Sequence, residues 1–471
     1  MAIYQHPLIA SEYVAALSPF VGDGGERFDR RRAAHLLRRT GFGGNVGEID
    51  QAVRRGLEAT VDGLFADDAD EEAEYARTFG AVAGKLTSLS SLEGIQAWWV
   101  YRMLTTRVPL REKLALFWHG HFASSQLKVE NTELMHGQIE LFRRSAWGSF
   151  GQLVAAIARD PAMLVWLDGQ SNTREHPNEN FARELMELFT CGISHYTERD
   201  VLEAARALTG WTIDGTTGVF NTDEHDAGRK QFLGRSGRFG ADDVIDLLLQ
   251  QPATAEFMAR KLLRFFAEPD PPAEIVAEAA QTLVRSQFHV KWLLRDLFMS
   301  QYFYSERCLR RRIASPVEYV VGALRMLEMQ MPADQLIYFL EQMGQRLLAP
   351  PNVKGWDGEA AWIDTGTWAA RQQFARMLAA QTDTNPLGPV FDPWRLVPVE
   401  MTEPRAVVKR LSDVLMPGEL PAEARRGLTS FLVATDDGPQ PELFREDESF
   451  RGQKIREAVT VVIALPEFHA W

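Results

Sequence analysis

The stretch from Pro177 to Trp211, PNENFARELMELFTCGISHYTERDVLEAARALTGW, constrains this chain most, because it holds two helix starts with one stop between them. Pro177 biases its predecessor away from helical dihedrals, and the following asparagines offer oxygens to the orphan N–H groups of a first turn. A helix is expected from about Asn180 to Cys191, ending at Gly192. On a 3.6-residue period Phe181, Leu185 and Leu188 share one stripe, and Asn180, Glu184 and Glu187 share the adjoining one. Two carboxylates therefore fall one turn apart, beside Arg183. Thr197-Glu198-Arg199-Asp200 is close to a capping box, with Asp in the place of Glu, and opens a second helix that Gly210 and Trp211 close.

The same periodicity recurs along the chain, in LREKLALFWHGHF among other places, where Leu110, Leu114, Phe117 and His121 line one stripe and His119 points away. Residues 211–240 break the pattern. Short β-prone pieces there (Thr212-Ile213, Gly218 to Phe220, Gln231 to Gly234) alternate with turn residues. The fold class read from this is all-α: a large multi-helix single body with a small β-hairpin or long-loop insertion around 211–240. Residues 1–25 read as an N-terminal extension, 26–381 as the helical core, 382–398 as a connector and 399–471 as C-terminal helices packed on the core. The acidic run Asp67 to Glu74 reads as a surface linker, and Arg310-Arg311-Arg312 as a solvated helix start.

A net charge of −13 argues against a nucleic-acid partner, because phosphate binding needs a basic face. No run of 18 apolar residues predicts a transmembrane segment. The N-terminus lacks a basic region followed by an apolar run, so cytoplasmic is the default compartment. Two cysteines, Cys191 and Cys308, make no disulfide framework and are expected as free thiols.

Five segments in order, AHLLRRTGFGG, LREKLALFWHGHF, the Pro177–Trp211 stretch, HDAGRKQFLG and PPNVKGWDGEAAWIDTGTWAAR, resemble the large bacterial family catalogued as domain of unknown function 1800 (DUF1800). The resemblance spans about residues 28 to 380 directly. It implies a mostly helical protein and supplies no activity. It also implies a partner from a second family that resembles sulfatases and phosphatases, and, because many members carry export signals, a periplasmic location as the alternative.

The polar residues of these motifs support two accounts. In the first, Arg183 and Glu187 form an i, i+4 ion pair, the asparagines cap, and the tryptophans pin loops, giving a non-enzymatic helical binding or assembly module with an ordered polar core. In the second the chain is a metal-assisted hydrolase acting on a glycan or ester substrate. Its catalytic set is Glu184, Glu187, Arg183 and Asn180, and its ligands for a divalent metal are His119, His121, His225 and Asp226. Asn178, Lys230, Lys354, Trp356 and Trp211 complete it as substrate-binding residues. A metal-free variant makes Glu184 and Glu187 a glycosidase pair, with Trp211, Trp356 and Trp362 stacking on sugar rings.

Overall fold

The computed structural model describes residues 17–20, 27–66, 73, 75, 89–329, 331–380 and 391–471. The acidic run at 67–74 and much of the extension and connector lie outside them. Among the described residues there are 22 helices, and the sheets are three two-stranded ladders. The all-α expectation with an insertion at 211–240 therefore holds. That insertion is two hairpins rather than one, Trp211–Asp214 with Thr217–Phe220 and Lys230–Phe232 with Arg235–Gly237. No helix among the described residues is long and apolar enough to cross a membrane.

At the centre stands the Pro109–His121 helix. Proline at its first position loses no hydrogen bond there, and Gly120 does not end it, so the helix runs on to His121. The expected stripe of Leu110, Leu114, Phe117 and His121 is buried, and so is the opposite side, including Glu112, Lys113, Trp118 and His119. A helix buried on both sides must satisfy its polar groups from its neighbours. Glu112 accepts from Arg143 Nε at 2.7 Å, on the Thr132–Arg144 helix, and from Trp99 Nε1 at 3.1 Å, on the Leu92–Thr105 helix. Lys113 pairs with Glu318 of the Pro316–Leu327 helix, and Arg312 approaches the same carboxylate at 3.3 Å.

Arg312 corrects one expectation. Instead of opening a solvated helix it is 5% exposed, with Nε 3.0 Å from Glu359. Its neighbour Arg310 pairs with Glu419 at 2.6 Å. Carboxylates from later elements, Glu359 and Glu419, capture arginines that local composition assigns to water.

The C-terminus is woven into this centre. Arg312 and Trp471 exchange backbone hydrogen bonds of 3.1 and 2.7 Å, and the Glu448–Ala464 helix packs on Thr365–Ala380. One contiguous apolar core runs from Leu17 to Trp471. Cys191 and Cys308 are free and buried.

Burial alone would raise the Glu318 carboxyl, but the Lys113 ammonium and the Arg312 guanidinium outweigh it and hold it far below the usual range. Replacing Glu318 with Gln leaves Lys113 without its counter-charge and Arg312 with Glu359 alone. We expect a stability loss of about 3–5 kcal/mol in urea unfolding, largely recovered when Lys113→Met is added. A loss under about 1 kcal/mol contradicts this role for the pair.

Candidate functional site

The candidate site forms where the last turn of the Pro109–His121 helix meets the segment after Asn180. That segment is α-helical only through Glu184. Leu185–Phe189 is a π turn, which the sequence did not predict. Thr190 Oγ1 reaches back to the Leu185 carbonyl at 2.6 Å, and the Cys191 and Gly192 amides both donate to Met186 O. Two carbonyls are thereby left without backbone partners and are taken by side chains from elsewhere. His121 Nε2 donates to Phe189 O at 3.1 Å, and Lys261 Nζ donates to Leu188 O at 3.1 Å. Lys261, on the Pro252–Phe266 helix, also reaches His121 Nδ1 at 2.9 Å. The imidazole is therefore the neutral Nε2–H tautomer, with its one lone pair occupied by the amine.

The loop PPNVKGWDG closes the other side. Gly355 has φ +81°, and a Cβ there would stand 2.3 Å from the carbonyl oxygen of Gly120. Only glycine permits this approach, which seats the loop on the end of the Pro109–His121 helix. His119 holds the preceding turn: its Nε2 accepts from the Leu348 amide at 3.1 Å, and its ring lies edge-on to Trp99 and Trp356, each at 5.5 Å.

Two cavities of about 310 and 580 Å³ open here, sharing His121, Lys261 and Lys354 in their walls. Trp356 and Trp362 line the smaller, and Glu187 and His195 the larger. Glu187 accepts from Tyr196 Oη at 3.1 Å. Burial and the neighbouring Glu187 raise the Glu184 carboxyl, with Arg183 and Lys354 opposing. Burial, reinforced by Arg264, pushes the Lys261 amine down to about 7. No carboxylate contacts that amine among the described residues.

Glu184, His119 and the remaining predicted site residues lie outside the cavity walls. Arg183 pairs with Glu179 at 3.0 Å and Glu198 at 2.8 Å rather than with Glu187. Asn180 donates to Asp168 at 3.1 Å, and Asn178 donates to Asp168 O and Ser171, so both order the 168–172 turn. His225 Nδ1 lies 3.0 Å from the Thr209 carbonyl, and Asp226 pairs with Arg206 at 2.7 Å. Lys230 caps the carbonyls of Asp226 and Gly228. Trp211 stacks under the Arg159 guanidinium at 4.9 Å. These residues fasten the hairpin insertion to the Glu198–Ala207 helix.

The predicted ligands His119, His121, His225 and Asp226 do not come together. The available lone pairs of His119 and His121 are engaged by Leu348 N–H and Lys261, and Asp226 is engaged by Arg206 and the Gly228 amide. Among the described residues no group of three or more His, Cys, Asp or Glu side chains is placed to hold a metal. Lys261 and Arg264, by contrast, line the cleft and were missed, as was Tyr196, which bonds the lining Glu187. In RKLLRFF, Lys261 reads as an ordinary solvated lysine of an amphipathic helix, and its imidazole partner is 140 residues away.

Fold and cleft together define a large helical protein with a two-chambered, lysine-centred site. The chain belongs to the family described as a protein of unknown function, DUF1800, whose model matches residues 35–470. No curated protein and no solved structure matches it.

Four buried histidines make the structure acid-sensitive. Burial pushes His119 and His469 down to about 3, and His35 and His121 lie well below their ordinary value of 6.5. Below that value the unfolded chain binds protons that the folded chain refuses, so stability is present above it and is lost as pH falls. Each histidine contributes a slope of about 1.4 kcal/mol per pH unit below its unfolded value. The melting temperature should fall steadily from about pH 6.5 to 5, before most carboxylates titrate. A flat profile over that window contradicts four neutral buried imidazoles.

Proposed function

We propose that this chain is a hydrolytic enzyme working by proton transfer, with Lys261 as general base and, once protonated, as general acid. The observation that carries the reading is the Lys261 amine: half-buried, without a carboxylate partner among the described residues, 2.9 Å from a neutral imidazole, on the wall shared by both cavities. A lysine deprived of hydration and counter-charge is a base poised near neutral pH. Neutral Lys261 takes a proton from water as the water oxygen adds to the ester or glycosidic carbon, the bond to the departing oxygen breaks, and the Lys261 ammonium so formed returns that proton to the departing oxygen. Glu187 raises the Glu184 carboxyl by proximity, and Tyr196 holds Glu187 in place. The nitrogen donors of the cleft do not fit a divalent ion as they are arranged, so no step is routed through one.

A second reading draws on the same contacts. His121 and Lys261 cap the carbonyls that the π turn leaves open, which is what a binding or assembly module with an ordered polar core would need.

Turnover on a panel of chromogenic esters and glycosides separates the two. The enzymatic reading expects Lys261→Met to lower kcat by about 10²–10⁴ while the fold survives. Absence of turnover across the panel, with Lys261→Met chiefly lowering the melting temperature, favours the binding module.

A further inference from the structure

The smaller cavity carries more positive charge than its own walls neutralise. Arg264, Arg312 and Lys354 line it, beside the neutral Lys261 amine, against Asp357 and Glu359, and one of those carboxylates, Glu359, is already bound to Arg312 at 3.0 Å. Arg264 is exposed and has no acidic partner among the described residues. This excess lies in a chain whose net charge is −13.

Behind the Arg312 wall the imbalance continues in the dry interior. Among the described residues Arg39, Lys113 and Arg312 lie together with Glu318 and Glu359, three cations against two carboxylates. Arg39 is 0% exposed, and among the described residues its one hydrogen bond is from Nη2 to the Cys308 carbonyl at 2.6 Å. Its Nε and Nη1 have no partner. Aromatic faces offset part of the deficit: Phe42, Phe265 and Trp471 each stand 5.4 Å from the Lys113 ammonium. Burial, with Arg312 beside it, pushes Arg39 down to about 9, and burial pushes Lys113 down to about 8 against the pull of Glu318. A buried cluster of three cations and two carboxylates, opening through Arg312 onto a cavity rimmed by unpaired cations, is arranged to be completed from outside.

We infer that this cavity is a subsite for an anionic group carried on a ring, with Arg264 and Lys354 gripping the anion and Trp356 and Trp362 packing against the ring. Both indoles line the same cavity as the cations, and its volume of about 310 Å³ admits one small ring. Carboxylate, sulfate and phosphate oxygens share the chemistry that guanidinium and ammonium groups recognise. The inference rests on the hydrolytic reading in that it names the substrate's charged end, but binding tests it without turnover.

The experiment compares glucose with glucuronate, glucose 6-sulfate and glucose 6-phosphate by ligand-observed NMR on the full chain. The expected result is that at least one anionic sugar binds at least tenfold more tightly than glucose, with the three arms identifying the anion. Arg264→Ala and Lys354→Ala replace exposed residues, so the fold is expected to persist, checked by circular dichroism. Each should weaken the anionic sugar by about tenfold, the size of one charge-assisted hydrogen bond, and leave glucose unchanged. Equal binding of all four sugars, no binding of any, or anion binding indifferent to both substitutions overturns the inference. Anion binding without turnover on any substrate would leave the subsite standing and remove the hydrolytic reading. Turnover that ignores substrate charge would do the reverse.

Discussion

Two backbone carbonyls, those of Leu188 and Phe189, decide how this cleft is built. The π turn at Leu185–Phe189 withdraws them from the helical ladder, and a buried carbonyl left without a donor costs about 1–3 kcal/mol. Lys261 and His121 supply the donors, and in doing so three separate parts of the chain are brought to one point. The lysine is carried into a dry setting by its duty to a neutral carbonyl. Deprived of hydration and of any carboxylate, its ammonium form is disfavoured, and a capping contact acquires the chemistry of a base. Structural and catalytic demands therefore fall on the same nitrogen, and π turns recur at functional sites for this kind of reason.

The wall behind it depends on the Pro109–His121 helix, which is buried on both sides yet carries Glu112, Lys113, His119 and His121. Each is answered by a different neighbour: Arg143, Glu318, the Leu348 amide, and the Lys261 and Phe189 pair. The last turn of this helix thus fixes both the π segment and the PPNVKGWDG loop. Gly120 and Gly355 permit their backbones to meet where any side chain at 355 would collide. The HGH and KGW motifs, some 230 residues apart, are two halves of one contact.

Much of this was legible in the sequence, and the boundary of legibility is physical. Periodicity placed the buried stripe through His121, the capping box at Thr197 and the hairpin region after Trp211, because those signals are local. The family-like motifs offered Glu187, His121, Lys354 and Trp356, which line the cleft. Asn178, Asn180, Arg183, His225, Asp226 and Lys230 were equally conspicuous as polar residues, but they satisfy turns and ion pairs nearby. Lys261 and Arg312 went the other way. Lysine and arginine on amphipathic segments are solvated by default, and only partners more than 40 residues distant show otherwise. The π turn escaped notice because the contacts that hold its carbonyls, from His121 and Lys261, are tertiary.

The central claim is that the Lys261 amine is largely neutral near physiological pH. Its titration is read directly by the rate of acetylation at Lys261, followed by peptide mass spectrometry from pH 5 to 11 on the folded protein. The account predicts a midpoint near 7 for Lys261, well below the ordinary lysine value of 10.5. A Lys261 midpoint at that ordinary value would contradict it.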